Sequence, residues 1–191
     1  MKGKRKKKRK GKLSLWLILI GIGLLTIFIF RQEIFNTFMP RMEKRKILRE
    51  ERTVLLYFSD REEEYLVGEK REIPKRDKMD EEAKETIIEL IKGPKGKLIP
   101  TLPLRTKLLA LRVNDKGVAE VNFNKALSQD HPGGSSAEMM SVYSIVNSLT
   151  LNFPQIKKVK ILIDGKAEET IAGHLSLDQA ISPKPDLIRR R

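Results

Sequence analysis

The N-terminus joins a basic cluster directly to a long apolar run, and this pairing restricts the chain more than any other feature. Nine of the first twelve residues are Lys or Arg, and residues 13–30 (LSLWLILIGIGLLTIFIF) carry no charge. As a helix this run would be about 27 Å long, close to the roughly 30 Å hydrocarbon core of a bilayer. We therefore expect a transmembrane helix over residues 13–30.

The flanking charge predicts the orientation of this anchor, because a basic cluster beside a transmembrane helix stays in the cytoplasm. A cleaved signal peptide has a shorter apolar core and a small-residue cleavage site, and the following RQEIFNTFMPRM offers none. The chain has no cysteine, which excludes a lipid attached to that residue. We expect a single-pass protein of the cytoplasmic (inner) membrane, with residues 1–12 as a basic cytoplasmic tail and the C-terminal domain extracytoplasmic.

Most of the net charge of +14 lies in the N-terminal part. Residues 1–52 hold 16 Lys and Arg against 4 Asp and Glu, whereas residues 53–191 hold 23 against 21. The nearly neutral C-terminal part lacks the basic footprint of a nucleic-acid-binding domain. We expect no nucleic-acid partner and predict that the tail contacts anionic lipid. Nucleic-acid binding by the tail alone is the weaker alternative.

Composition divides the rest into three parts. Residues 31–52 are charged and contain Pro40, which interrupts a helix leaving the membrane, so we expect a juxtamembrane stalk. Residues 53–181 are long enough for one domain with its own core, and without cysteine that core must hold the domain together. The tail, residues 182–191, contains two prolines and three terminal arginines and is expected to be disordered.

The hydrophobic pattern of the domain predicts strands and helices in turn. Strands are expected at 53–59, 107–113, 118–123 and 159–163, and helices at 80–92 and 135–151; residues 65–73 are expected to form a second short strand or an extended edge. Asp80 is the expected N-cap of the first helix, and Ser135 and Glu138 have the spacing of a capping box at the second. Residues 169–171 are expected to pair back onto the last strand.

The two long helices should each bury one face. On the first helix the apolar residues are Ala83, Ile87, Leu90 and Ile91; on the second they are Met139, Val142, Tyr143, Val146, Leu149 and Thr150. Two helices can cover only one face of a sheet. We therefore predict an α+β fold, a two-layer sandwich with a mixed sheet of about four strands and two helices on one face, plus one N-terminal transmembrane helix.

A series of segments in a fixed order resembles the GerMN domain family of spore-germination and sporulation proteins. The resemblance covers residues 54–181, about two-thirds of the chain. One difference is Leu104-Arg105-Thr106, where related sequences often have Pro-x-Gly-Thr before the hairpin. The matching segments are LYFSD (56–60), Leu66 and Val67 followed by Arg71, LIKGP (90–94), LPLRTKLLALRV (102–113), GVAEVNF (117–123), IVNSLTLNFPQIKKVKILIDGK (145–166) and TIAGHLSL (170–177).

The resemblance implies an interaction module without known catalytic residues, similar to ring-building modules of extracytoplasmic membrane assemblies. GerMN domains occur on lipoproteins and on membrane-anchored proteins, some with two copies, and this chain has room for one. The expected partners are an envelope or membrane protein complex and peptidoglycan.

The two histidines give little support for catalysis or metal binding. His131 lies in the loop DHPGG and is expected to face solvent, whereas His174 is expected to order the C-terminal segment through a backbone hydrogen bond. Neither has the Cys or His neighbours that zinc requires. We expect no enzyme activity, no cofactor and no metal site.

The loop before the second long helix is a weak candidate for ligand binding. Backbone N–H groups at a helix start can hold an anion. Two glycines before a helix also simply allow the chain to turn, and phosphate-loop spacing is absent. The candidate residues are His131, Gly133, Gly134, Ser135 and Ser136.

Two other polar sets are weaker still. Ser135 with His131 and Asp130 would be a nucleophile with its base and acid, but all three lie within six residues of one loop, which is poor preorganisation. The acidic run REEEY (61–65) is expected to be a solvated turn, with a divalent-cation site as the alternative.

Three functions remain for the chain. The first is a membrane-anchored extracytoplasmic interaction or scaffold protein of the bacterial cell envelope, in sporulation, germination or cell-wall assembly. The second is a ligand-binding module for a cell-wall fragment or an anion at the 133–136 loop. The third, an enzyme of envelope metabolism, lacks a convergent acid, base and nucleophile.

Overall fold

The computed structural model describes Trp16, residues 19–31 and residues 50–189. The chain divides into two compact units, Met1–Leu48 and Arg49–Arg191. In the first unit, Trp16 and residues 19–31 are helical (α1), and nearly all of their side chains are exposed. No helix among the described residues is long and apolar enough to cross a bilayer. The predicted tail, most of the stalk and part of the predicted anchor lie outside the described residues.

The second unit is an α+β domain in which the predicted strands and the two predicted helices occur in the predicted order, and two further short helices were not predicted. The prediction for residues 169–171 is wrong, since these residues form no strand. The elements are β1 (Glu51–Ser59), β2 (Leu66–Pro74), α2 (Met79–Ile91), β3 (Leu108–Val113), β4 (Val118–Phe123), α3 (Ala126–Gln129), α4 (Ser135–Thr150), β5 (Lys158–Ile163) and a short 3-10 helix, Pro185–Leu187.

The strands form two sheets, so the prediction of one sheet of about four strands is wrong. β1 and β2 form an antiparallel pair; in the other sheet β4 lies centrally, antiparallel to β3 and parallel to β5. Side chains in the last turn of α4 and just after it form hydrogen bonds with backbone groups on the outer edge of β1. The Tyr57 N–H donates to Ser148 Oγ at 3.0 Å. The Asn152 side-chain amide accepts the Leu55 N–H at 2.9 Å and donates to the Leu55 C=O at 2.7 Å. A further strand therefore has no free edge to join there.

One buried core connects both sheets with α2 and α4. The predicted face of α2 is correct, with Ala83, Ile87 and Leu90 at or below 1% exposure. Helix α4 is buried on more sides than one face, because it contacts β1, α2 and β5. Its fully buried side chains include Ile145 and Asn147, outside the predicted face.

Both predicted helix caps are wrong. Lys78 is the N-cap residue of α2 and makes no side-chain cap bond, whereas Asp80 lies within the helix and accepts the Val113 N–H at 3.3 Å. Gly134, at φ 87°, is the N-cap residue of α4. Glu138 forms no capping box because its carboxylate accepts hydrogen bonds from a later segment of the chain, residues 171–174.

The C-terminal segment is held against the domain, unlike the disordered tail expected for residues 182–191. The Asn147 amide exchanges two hydrogen bonds with the Lys184 backbone, at 3.0 and 3.2 Å. Ile188 pairs in parallel with Leu66, and the Arg189 N–H donates to Leu66 O at 2.9 Å. These contacts order the segment as far as Arg189.

Candidate functional site

The candidate loop leads from α3 into α4 and is shaped by its two glycines. Gly133 and Gly134 have φ angles of 83° and 87°, in the left-handed region that glycine adopts without strain. Their conformation turns the chain sharply enough for Ser135 to begin α4. The glycines are therefore needed for the turn, whether or not the loop holds a ligand.

His131 connects this loop to α4 rather than facing solvent alone. Its Nδ1 accepts the Gly133 N–H at 3.0 Å, and its Nε2 lies 3.0 Å from Ser141 Oγ. The single Ser141 hydroxyl proton is donated to Thr101 O, so Ser141 Oγ accepts from the ring. This pattern fits the neutral tautomer with its proton on Nε2.

The protonation state of His131 follows from the same environment. Burial lowers the pKa of His131 below its usual value, although the nearby Glu138 carboxylate and the Ala137 carbonyl favour the charged ring. A second proton on Nδ1 would also remove the acceptor of the Gly133 N–H. His131 is therefore neutral at pH 7. It supplies no positive charge for an anion, and its Nε2 cannot accept the proton of Ser141.

A cavity lies beside this loop, between the end of β1 and the first turns of α4. It has a volume of about 250 Å³. Its lining is largely apolar, with Pro103, Pro132 and Met140, together with Ser59 and Ser141. Ser59 is 2% exposed, and its Oγ has no hydrogen-bond partner among the described residues. A buried hydroxyl without a partner is destabilising unless something else satisfies it.

The remaining candidate residues do not converge on one point. Ser135 and Ser136 are exposed, and Ser136 Oγ donates to Glu63 O at 2.7 Å, joining α4 to the turn after β1. The Asp130 carboxylate accepts hydrogen bonds from Nε and Nη2 of Arg105. With Asp130 and His131 committed elsewhere, these contacts do not assemble the nucleophile, base and acid considered from the sequence.

Glu138 anchors the chain segment after β5. Its carboxylate is fully buried and accepts the N–H groups of Ile171 and Ala172 at 2.9 Å and of His174 at 2.8 Å. Burial raises the pKa of Glu138, but these hydrogen bonds outweigh it and leave the pKa below its usual value. The backbone of His174 thus takes part in ordering the C-terminal segment, as predicted.

The acidic run between β1 and β2 forms an exposed turn. Asp60, just before it, accepts the N–H groups of Glu64 and Tyr65 at 3.0 and 3.2 Å. Glu63 has a φ of 55°, which the tight turn requires. Within residues 50–189 and the described part of α1, no three His, Cys, Asp or Glu side chains are grouped as metal ligands.

Sequence reasoning missed the polar side chains that connect α4 to its neighbours. Ser141, Ser144 and Ser148 follow one another at spacings of three and four, so they lie on one side of the helix. Ser144 accepts the Thr101 hydroxyl at 2.8 Å and Ser148 accepts a β1 amide. This stripe of serines was the available signal that backbone edges lie against α4. Nothing in the sequence indicated that Asp60 pairs with Arg189 at 2.6 Å.

The fold and the loop define a single α+β domain whose conspicuous polar residues hold its segments together. The family model Germane, described as sporulation and spore germination, matches residues 55–169, which is more than half of the chain. The chain belongs to this family. The resemblance to GerMN domains inferred from the sequence is thereby confirmed. A comparison with curated protein sequences gives no match.

Solved structures with the same fold support this assignment. A candidate lipoprotein from Clostridium perfringens is 26% identical, with a TM-score of 0.52, over 74% of this chain and 95% of that one. The first GerMN domain of the sporulation protein GerM from Bacillus subtilis is 21% identical, with a TM-score of 0.56, over 69% and 97%. The tandem GerMN domains of the same protein give 20% and 0.55, over 72% and 48%. The chain thus spans about half of the tandem structure.

Proposed function

We propose that this chain is a non-catalytic interaction protein of the bacterial cell envelope that acts in sporulation or germination. The observation that carries the proposal is the family match over residues 55–169. In the proposal the domain stands outside the cytoplasmic membrane and binds other proteins of an envelope assembly, with peptidoglycan as a further partner. The sporulation protein GerM and the candidate lipoprotein of C. perfringens have the same fold and are consistent with such a setting.

The proposed attachment is a single-pass anchor over residues 13–30, with the N-terminus inside. The described part of this run is helical, and side chains such as Leu24 and Phe30 are more than 60% exposed. Exposed apolar surface of this kind is unfavourable in water, at about 25 cal/mol per Å². The basic residues before it would remain on the cytoplasmic side, near anionic lipid. With no cysteine in these 191 residues, the apolar segment itself is the proposed membrane attachment.

Complementation of a deletion strain tests whether the anchored domain is the active form. The full chain is compared with residues 49–191 exported behind a cleavable signal, at matched abundance. A membrane tether raises the effective concentration of a domain to roughly millimolar for partners in the same membrane. We expect the full chain to restore function and the untethered domain to restore much less. Full restoration by the untethered domain would overturn the anchored-scaffold proposal.

A second candidate function is a small-ligand module, favoured by the cavity beside the loop, whose lining includes Ser59 with its unpartnered hydroxyl. Because His131 is neutral and the lining of the cavity contains no Lys or Arg, the site suits an uncharged hydrogen-bonding group of a cell-wall fragment better than an anion. Ser59→Ala removes the hydroxyl and leaves the shape nearly unchanged. Under this candidate, the Ser59→Ala variant would lose function in the deletion strain while remaining folded. Under the interaction proposal it retains function.

A further inference from the structure

We propose that the open edge of β2, with the groove beside it, binds an extended acidic segment of a partner protein as an added β-strand. The inference rests on the proposed interaction function and supplies the surface that it lacks. Strand addition satisfies backbone groups on an exposed sheet edge, and side-chain pockets beside the edge give it selectivity.

The pairing pattern of β1 and β2 shows which β2 groups are unoccupied. Ser59 and Ile99 exchange backbone hydrogen bonds on the far side of β1, so the N–H and C=O of Ser59 point away from β2. Its register partner Leu66 must also point outward, and the same holds for every second residue along β2. Gly68, Lys70 and Glu72 therefore direct backbone donors and acceptors to the open edge. None of these groups is hydrogen-bonded to another residue of the described chain.

The chain's own C-terminal segment demonstrates that this edge accepts a strand. Ile188 already pairs with Leu66 in parallel, and the Arg189 N–H donates to Leu66 O. The described segment reaches only the first outward-facing position of β2. The stretch from Gly68 to Glu72 spans four residue steps, or about 13 Å, enough for a short added strand.

The groove beside the edge can hold apolar side chains of the added strand. It has a volume of about 680 Å³, and its lining includes Leu55, Tyr57, Leu98 and Ile188. Gly68 has no side chain, and a Cβ there would lie 3.5 Å from both Leu55 and Tyr57. A partner side chain opposite Gly68 can therefore rest on these two residues, as cross-strand neighbours do.

The charges around the groove favour an acidic segment. Glu69 is already occupied by Arg71 at 2.6 Å and by the N–H groups of Lys95 and Gly96. Lys70, in this groove, and Lys97, in the adjoining cleft, form no ion pair with any residue that the structure describes. The groove and the cleft thus hold unpaired positive charge, whereas the one acid further along the edge, Glu72, accepts a hydrogen bond from the Thr53 hydroxyl at 2.7 Å. An aspartate or glutamate of the incoming strand would meet the unpaired lysines, and a basic segment would be repelled.

A proline substitution separates strand addition from the stability of the domain. Lys70→Pro removes an N–H that faces the open edge and places the ring where a strand would pair, without removing a β1–β2 hydrogen bond. Lys70→Ala keeps the N–H and, like the proline variant, loses the lysine side chain with its charge, so it is the matched control. Gly68→Val keeps every N–H but fills the groove. Circular dichroism and thermal unfolding establish that each variant is folded.

Binding is measured on the full chain in neutral detergent micelles with a fluorescein-labelled nine-residue peptide that alternates valine with threonine and aspartate. A second peptide carries lysine in place of aspartate. We expect the acidic peptide to bind, Lys70→Pro to weaken binding at least tenfold, and Lys70→Ala to weaken it less. Hydrogen exchange with mass spectrometry should show new protection in residues 66–74 and little change in β3, β4 and β5.

Three results would overturn the inference. They are no binding of the acidic peptide at millimolar concentration, equal binding by a folded Lys70→Pro variant, and protection away from β2. A dimer of this chain that Lys70→Pro abolishes would also overturn it, because the occupant would then be a second copy. If the peptide does not bind but the anchored domain still restores function better than the untethered one, the proposed function stands and only this surface is refuted.

Discussion

Removal of the Glu138 carboxylate should destabilise the domain more than removal of any exposed acid. In Glu138→Ala, the N–H groups of Ile171, Ala172 and His174 lose their buried acceptor. Each hydrogen bond to a charged group contributes roughly 1.5–3 kcal/mol. Water can reach the exposed His174 end of the segment, so we expect a total of about 3 kcal/mol. For a domain of this size that corresponds to a fall in Tm of about 10 °C.

The pH dependence of this loss of stability shows whether the charge of the Glu138 carboxylate or only the packing of its side chain stabilises the domain. Because the pKa of Glu138 is lowered in the folded state, its contribution is present above the unfolded pKa and is lost as the pH falls through the folded value. The isosteric Glu138→Gln variant keeps the shape without the charge. The stability difference between wild type and Glu138→Gln should therefore be largest near neutral pH and shrink in acid.

Thermal unfolding of the full chain in neutral detergent, followed by circular dichroism from pH 7 to pH 3, measures both effects. Glu81→Ala, an exposed acid in the first turn of α2, is the control and should change Tm little. A Glu138→Ala variant that melts within about 2 °C of wild type would refute the reasoning, on the scale of a fraction of a kcal/mol. So would a difference between wild type and Glu138→Gln that does not change with pH.

Three further outcomes are expected. Ile87→Asp places an unpaired charge in the core and should lower the free energy of unfolding by several kcal/mol, so that urea titration finds the variant largely unfolded. A wild-type urea midpoint would contradict the assigned buried face of α2. NMR titration of the His131 ring should give a pKa below the usual value of roughly 6.5, and the Gly133 amide signal should shift at the same pH. A raised pKa would contradict the neutral tautomer. Asn147→Ala should speed hydrogen exchange in residues 184–189 while β5 stays protected; unchanged exchange there would contradict the described anchoring.

The elements that were predicted correctly are those whose sequence pattern lies within the element itself. The β3–β4 hairpin follows from alternating apolar residues around Asn114 and Gly117, and α2 follows from a 3–4 apolar spacing that Gly93 ends. These patterns depend on neighbours in the chain and survive in the fold. The caps failed because Asp80 and Glu138 have partners more than 30 residues away, which no local spacing reveals.

The division into two sheets could not be predicted for the same reason. β1 carries no sequence feature that distinguishes a strand neighbour from the side chains of Ser148 and Asn152, which bond its edge. The candidate loop precedes α4, as the sequence indicated, but the short helix α3 on its other side was not predicted. The direction in which the loop's groups point depends on tertiary contacts. His131 bonds to Ser141, ten residues further on, and Ser59 of β1 lines the cavity beside the same loop.

Single introduced cysteines test the central claim, that the chain is anchored with its domain outside the membrane. The natural sequence has none, so Lys2→Cys and Glu168→Cys each give one labelling site, at the basic tail and at an exposed position of the domain. Protoplasts are treated with a membrane-impermeant maleimide before and after permeabilisation. We predict that Glu168→Cys is labelled in intact protoplasts and that Lys2→Cys is labelled only after permeabilisation. Labelling of Lys2→Cys but not Glu168→Cys in intact protoplasts, or release of the protein from washed membranes, would contradict the account.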